Sequence, residues 1–114
     1  MQRVTLVRYT AKPERADENE RLSKAVFAEL KASPPDHVAY ALFRNGPDFL
    51  HLFVNLKDDD SSAVTELASF KAFSKDIAER CDVPPQATRF GLDLVASYGF
   101  PAEPDGASGR RSAA

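Results

Sequence analysis

The sequence has no tryptophan, one cysteine, one methionine, two histidines and five glycines in 114 residues. A single thiol, Cys81, cannot close a disulfide within the chain, so nothing points to an oxidising compartment. Two histidines and one cysteine at these spacings match no metal motif. No apolar run approaches the ~20 residues that span a bilayer. Strand-like sequence follows Met1 at once, so no signal peptide is expected, and a cytoplasmic location is. The formal charge is -2 and the basic residues are scattered, which excludes the basic stripe that nucleic acid requires. There is no Gly-rich phosphate loop, no Gly-x-Ser-x-Gly elbow and no paired-carboxylate signature.

What remains is an ordinary soluble composition, 43% hydrophobic, enough for one core burying roughly two-thirds of the unfolded surface. Its axis is Phe49 to Leu56, where Leu50, Leu52, Val54 and Leu56 alternate with Phe49, His51, Phe53 and Asn55. Alternation puts these sets on opposite faces of a strand, one aliphatic and one aromatic with an imidazole and an amide. Arg3 to Thr10 is β-branched and aromatic and reads as the first strand. Pro13 suits the first turn of a helix, and Glu14, Asp17, Glu18 and Glu20 favour its positive end. Leu22, Ala25, Val26, Glu29 and Leu30 then recur at helical spacing until Pro34-Pro35 ends the helix near Ala32. Val38 to Arg44 reads as a second strand, joined to the axial one by the turn Asn45-Gly46-Pro47-Asp48.

Asp58 to Ser62 is a polar break able to cap a second helix. That helix is expected in two pieces, Val64 to Ala68 and Phe70 to Cys81, with a kink near Ser69 and a stop at Pro84-Pro85. Ala87 to Tyr98 alternates again as a fourth strand. The expected organisation is one domain over residues 1–98 and a flexible tail over 99–114. The order β-α-β-β-α-β is that of a ferredoxin-like α+β fold, an antiparallel four-stranded sheet with two helices on one face. The aliphatic face of the axial strand is expected beneath the helices. Phe49, Phe53, Tyr40 and Leu42 then need another cover, for which a second copy of the sheet, in a two-fold dimer, is the economical choice.

The chain resembles the dimeric α+β barrel proteins, within them the antibiotic-biosynthesis-monooxygenase-like domain, over about Val4 to Tyr98. The resemblance is carried by Val-Arg-Tyr-Thr-Ala-Lys-Pro-Glu at 7–14, Phe-Leu-His-Leu at 49–52 and Phe-Lys-Ala-Phe-Ser-Lys-Asp-Ile-Ala-Glu-Arg-Cys at 70–81. It implies a homodimeric barrel and, for an enzyme, a monooxygenase that uses no cofactor and takes an aromatic or enolisable small molecule into the barrel pocket. Haem-degrading relatives use a histidine on the second helix and a pocket tryptophan; this chain has neither. The alternative is a non-catalytic dimer that binds a ligand or serves structurally.

Within that frame His51 is the candidate general base and Arg8 the candidate holder of a carboxylate or enolate oxygen. Tyr40, Phe49, Phe53, Asn55 and Phe73 are the candidate ligand-binding residues. Each has a plainer reading. His51 can be a half-buried histidine bonded to a neighbouring strand, Arg8 a salt-bridging residue, and Tyr40 and Phe73 packing residues. Arg89 and Asp93 share a face of the fourth strand and suit a structural ion pair; Asn19 suits either a pocket mouth or an exposed helix position; His37 suits a solvated loop.

Overall fold

In the computed structural model, which describes residues 1–57 and 64–100, β-branched and aromatic segments form four strands. They are β1 (Gln2–Ala11), β2 (Val38–Asn45), β3 (Asp48–Asn55) and β4 (Cys81–Leu92). One antiparallel sheet holds them in the order β2-β3-β1-β4. Asn45 pairs with Asp48 at the closed end of the β2–β3 hairpin, and Gly46 takes the positive φ of 60° that mirror-image hairpin turns require. A 3₁₀ turn at Pro13–Arg15 leads into α1 (Ala16–Ala32). The second helical segment is broken into α2 (Ala68–Lys75) and α3 (Ile77–Arg80). The expected kink near Ser69 falls instead at Asp76, and Val64 to Glu66 is a turn closed by the Leu67 N–H on the Val64 carbonyl, not helix.

The helices cover one face of the sheet, and it is not the face expected. Tyr9, Ala11 and Phe49 are buried there with Val26 of α1 and Phe73 of α2, and Val7, Tyr40, Leu42 and Phe53 pack against them. The Phe-His-Phe-Asn side of β3 therefore lies under the helices and the Leu50-Leu52-Val54 side looks away. The reason lies on α1. Its buried positions are Ala16, Asn19, Ser23 and Val26, whereas Ala25 is exposed. Small residues leave depth for aromatic rings, and the two polar ones meet the Tyr9 hydroxyl below them. Alternation separates two faces, but only the facing helix says which one it takes.

The end of the chain also departs from expectation. Pro84-Pro85 does not end a helix but sits inside β4, which begins at Cys81 and ends at Leu92 rather than running to Tyr98. β4 has β1 as its neighbour on one side only, and an edge strand tolerates residues that cannot donate. The ladder slips between the Arg8–Gln86 and Thr10–Val83 pairs, where the prolines lie. Val95 and Tyr98 are exposed. The cap expected from Asp58 to Ser62, and the tail past Phe100, lie outside the described residues. No helix among the described residues is long and apolar enough to cross a membrane.

Candidate functional site

β3 carries His51 opposite Val7 of β1 and Leu42 of β2, in the middle of the covered face. The ring is 4% exposed, and both nitrogens are engaged. The Tyr9 hydroxyl lies 2.8 Å from Nε2, and the Tyr40 hydroxyl 2.8 Å from Nδ1. Asn19 Nδ2 donates to the Tyr9 oxygen at 2.7 Å, and Arg80 Nε donates to Asn19 Oδ1 at 3.2 Å. Arg80 is itself 2% exposed, donates to the Phe73 carbonyl and lies over the Phe73 ring. The elements that meet here are the sheet, α1 and the end of α3. Their polar groups form one chain, Arg80–Asn19–Tyr9–His51–Tyr40.

That chain has a direction as far as the Tyr9 oxygen. A guanidinium only donates, so Arg80 fixes the Asn19 oxygen towards itself and the Asn19 amide nitrogen towards Tyr9. Tyr9 oxygen then accepts from Asn19, and its proton goes either to His51 Nε2 or to Ser23, with which it also bonds. Burial disfavours the imidazolium and pushes the His51 pKa down to about 4, so the ring is neutral near pH 7. A neutral ring that accepts at Nε2 carries its proton on Nδ1 and donates it to the Tyr40 oxygen. The Tyr40 proton then has no further acceptor among the described residues. Burial also raises the pKa of both tyrosines, Tyr9 to about 12, so both are phenols.

Tyr40 stands at the wall of a cavity of about 420 Å³ between the sheet and α2. The floor is a row across the sheet, Tyr40, Phe53, Thr5 and Arg89, in consecutive register. His51 and Val7 continue the floor, and Phe70, Phe73 and Ser74 of α2 form the opposite wall. The volume lies within the ≈ 300–1,000 Å³ of small-molecule sites. The lining is apolar with a few convergent polar groups, which suits a flat, largely apolar molecule bearing an oxygen acceptor.

Of the expected site residues, His51, Tyr40, Phe53 and Phe73 meet at this cavity. Phe49 stands behind them, stacked on Tyr9 at 5.3 Å. Asn55 is buried, and its side-chain oxygen accepts from the Lys57 N–H at 3.0 Å. Arg8 is not beside His51: it pairs with Leu50, on the other face, and is exposed. The expected pocket between two sheets is likewise replaced, for His51, by a cavity within one chain. Asp93 meets the Met1 amino group at 3.9 Å, while Arg89 lines the cavity.

Tyr9 and Arg80 belong to the site without having been expected there, and Asn19, 0% exposed, is neither exposed nor at a pocket mouth. One signal was available: Asn19 and Ser23 stand one helical turn apart between Ala16 and Val26. Among the described residues no group of three or more His, Cys, Asp or Glu could hold a metal ion.

No family model matches the chain, and no curated protein matches its sequence. Solved structures do. A Caulobacter crescentus protein named as a candidate antibiotic biosynthesis monooxygenase superposes with a TM-score of 0.67 at 20% identity, over 83% of this chain and 91% of that one. A Nitrosomonas europaea protein of the same description gives 0.67 at 14% identity, over 87% and 93%. Rv0793 from Mycobacterium tuberculosis gives 0.67 at 14% identity, over 85% and 100%. At such identities the likeness is one of fold, and the chain has the ferredoxin-like α+β fold of these proteins.

Proposed function

We propose that each chain of a cytoplasmic homodimer takes a small aromatic or enolisable molecule into the cavity beside Tyr40. There it acts as a monooxygenase that uses molecular oxygen and no cofactor. The observation that carries this reading is the buried chain from Arg80 to Tyr40, which in the Nδ1–H tautomer of His51 leaves the Tyr40 proton at the cavity wall. A donor so placed stabilises the oxygen of a substrate enolate or phenolate, and such an anion can itself react with oxygen. His51 is then a positioning residue: both nitrogens are taken by tyrosines, so it holds Tyr40 and offers the substrate no hydrogen bond. Structural neighbours named as candidate monooxygenases support the same reading.

The occupied imidazole also favours a second reading, a ligand-binding protein without turnover, because among the described residues no free base faces the cavity. An oxygen electrode with a panel of hydroquinones, naphthols and anthrones separates the two. Oxygen-dependent product from the wild type, with kcat reduced about tenfold or more in Tyr40→Phe, is the expected result. Saturable binding of the panel with no oxygen uptake leaves the non-catalytic binder.

A further inference from the structure

The cavity floor is polar at both ends, and the ends differ in charge. At one end is the Tyr40 hydroxyl; at the other, three strands away in the same register row, is Arg89. With strands about 4.8 Å apart the two backbones are roughly 14 Å apart. Phe53 and Thr5 lie between them, and Phe70 and Phe73 face them from α2. Arg3 also lines the cavity, opposite Gly91 and so diagonal to Arg89 on the same side of the sheet. Among the described lining residues there are two guanidinium groups and no carboxylate. Arg89 is exposed, so its charge meets solvent as well as the cavity.

We propose that the ligand is an aromatic acid lying along this row, with a carbonyl, enolate or phenolic oxygen on Tyr40 and a carboxylate on Arg89. The proposal rests on the cavity being a ligand site and adds the class of ligand. An apolar body fits the phenylalanines, but a neutral molecule makes no use of the Arg89 charge. A planar guanidinium matches a carboxylate in a bidentate geometry, which also fixes which end enters first.

The test is a fluorescence or calorimetric titration of the full chain with 6-hydroxy-2-naphthoate, 2-naphthol and 2-naphthoate, in wild type, Arg89→Gln, Arg89→Lys and Tyr40→Phe. The hydroxy acid should bind more tightly than 2-naphthol in the wild type. Arg89→Gln should weaken the hydroxy acid about fivefold while leaving 2-naphthol unchanged, the modest factor reflecting solvent screening at an exposed site. Arg89→Lys should restore part of the loss, and added salt should weaken the acid more in the proteins that keep a cation at position 89 than in Arg89→Gln. Equal binding of acid and naphthol, unaffected by Arg89→Gln, would overturn the proposal and leave the cavity reading standing. Failure of all three probes to bind would remove the ligand site, and the proposal with it.

Discussion

At the scale of the residue, His51 is a histidine built into the core as a neutral ring. It is the middle of a hydrogen-bonded chain whose other members are not bases, and the chain needs a neutral ring that accepts at one nitrogen and donates at the other. Protonation would remove the accepting nitrogen and place a charge in the core. The unfolded chain, with an ordinary histidine pKa near 6.5, binds that proton more readily than the folded one at about 4. Stability is therefore complete above about pH 6.5 and falls as pH drops towards 4, by up to about 3 kcal/mol. Carboxylates held low by partners, such as Glu20 beside Arg44 and Lys24, contribute to acid loss lower down. The His51 share is best read between pH 6.5 and 5. Urea unfolding across this range, with ¹⁵N shifts of the ring in the folded protein, checks the point. The expected result is a neutral Nδ1–H tautomer persisting below pH 5 alongside falling stability. A ring titrating near 6.5 in the folded state would show that burial does not govern it.

At the scale of the element, α2 is short and depends on its neighbours. Its hydrophobic side supplies Phe70 and Phe73 to the cavity, yet no side chain of its own caps the N-terminus. The cap comes from α1: Glu29 accepts from the Ser69 amide at 3.0 Å and from the Ser69 hydroxyl at 2.5 Å. These bonds hold the Glu29 carboxyl below its usual pKa, and a carboxylate there also faces the positive end of the α2 dipole. Glu29→Ala should speed amide exchange across residues 68–75 while exchange in β1 and β3 stays slow. Unchanged exchange in α2 would mean that Phe73 alone anchors it. This dependence explains what the sequence could and could not reveal. Alternation in Phe49 to Leu56 and the Asn45 to Asp48 turn were legible because strand parity and turn chemistry are local. The cap on α2 was not, since it joins residues forty apart. The prolines in β4 misled because their meaning depends on whether a strand is at the edge. The choice of sheet face depended on Asn19 and Ser23, whose partners lie in other elements. His51, Tyr40 and Phe73 were legible as candidates from chemistry and position, and they line one cavity; Tyr9 and Arg80 join the candidate site through contacts that no spacing encodes.

At the scale of the whole molecule, the unanswered surface is the face of the sheet turned away from the helices. Val4 and Leu6 of β1 and Leu50 and Leu52 of β3 are half-buried there. Phe43 of β2 and Phe90 and Leu92 of β4 share that face and are 55%, 40% and 49% exposed. Leucines and phenylalanines spread over all four strands form a patch that a monomer in water has reason to cover. A flat sheet face is most simply matched by its own copy across a two-fold axis, since the same patch then serves both partners. We therefore expect the protein to sediment as a dimer at micromolar concentration. Leu52 is the place to test it, because it pairs with Leu6 on one side and Ala41 on the other, in the middle of the patch. Leu52→Asp would bury a carboxylate in the dimer, at a cost of several kcal/mol, but would expose it to water in the monomer. The variant should sediment as a monomer and keep the wild-type His51 ring shifts, because Leu52 and His51 point to opposite faces. Phe43→Asp, at a site more open to solvent, gives the same readout should Leu52→Asp disturb folding. A wild type that sediments as a monomer would mean that this face stays open or takes a different partner.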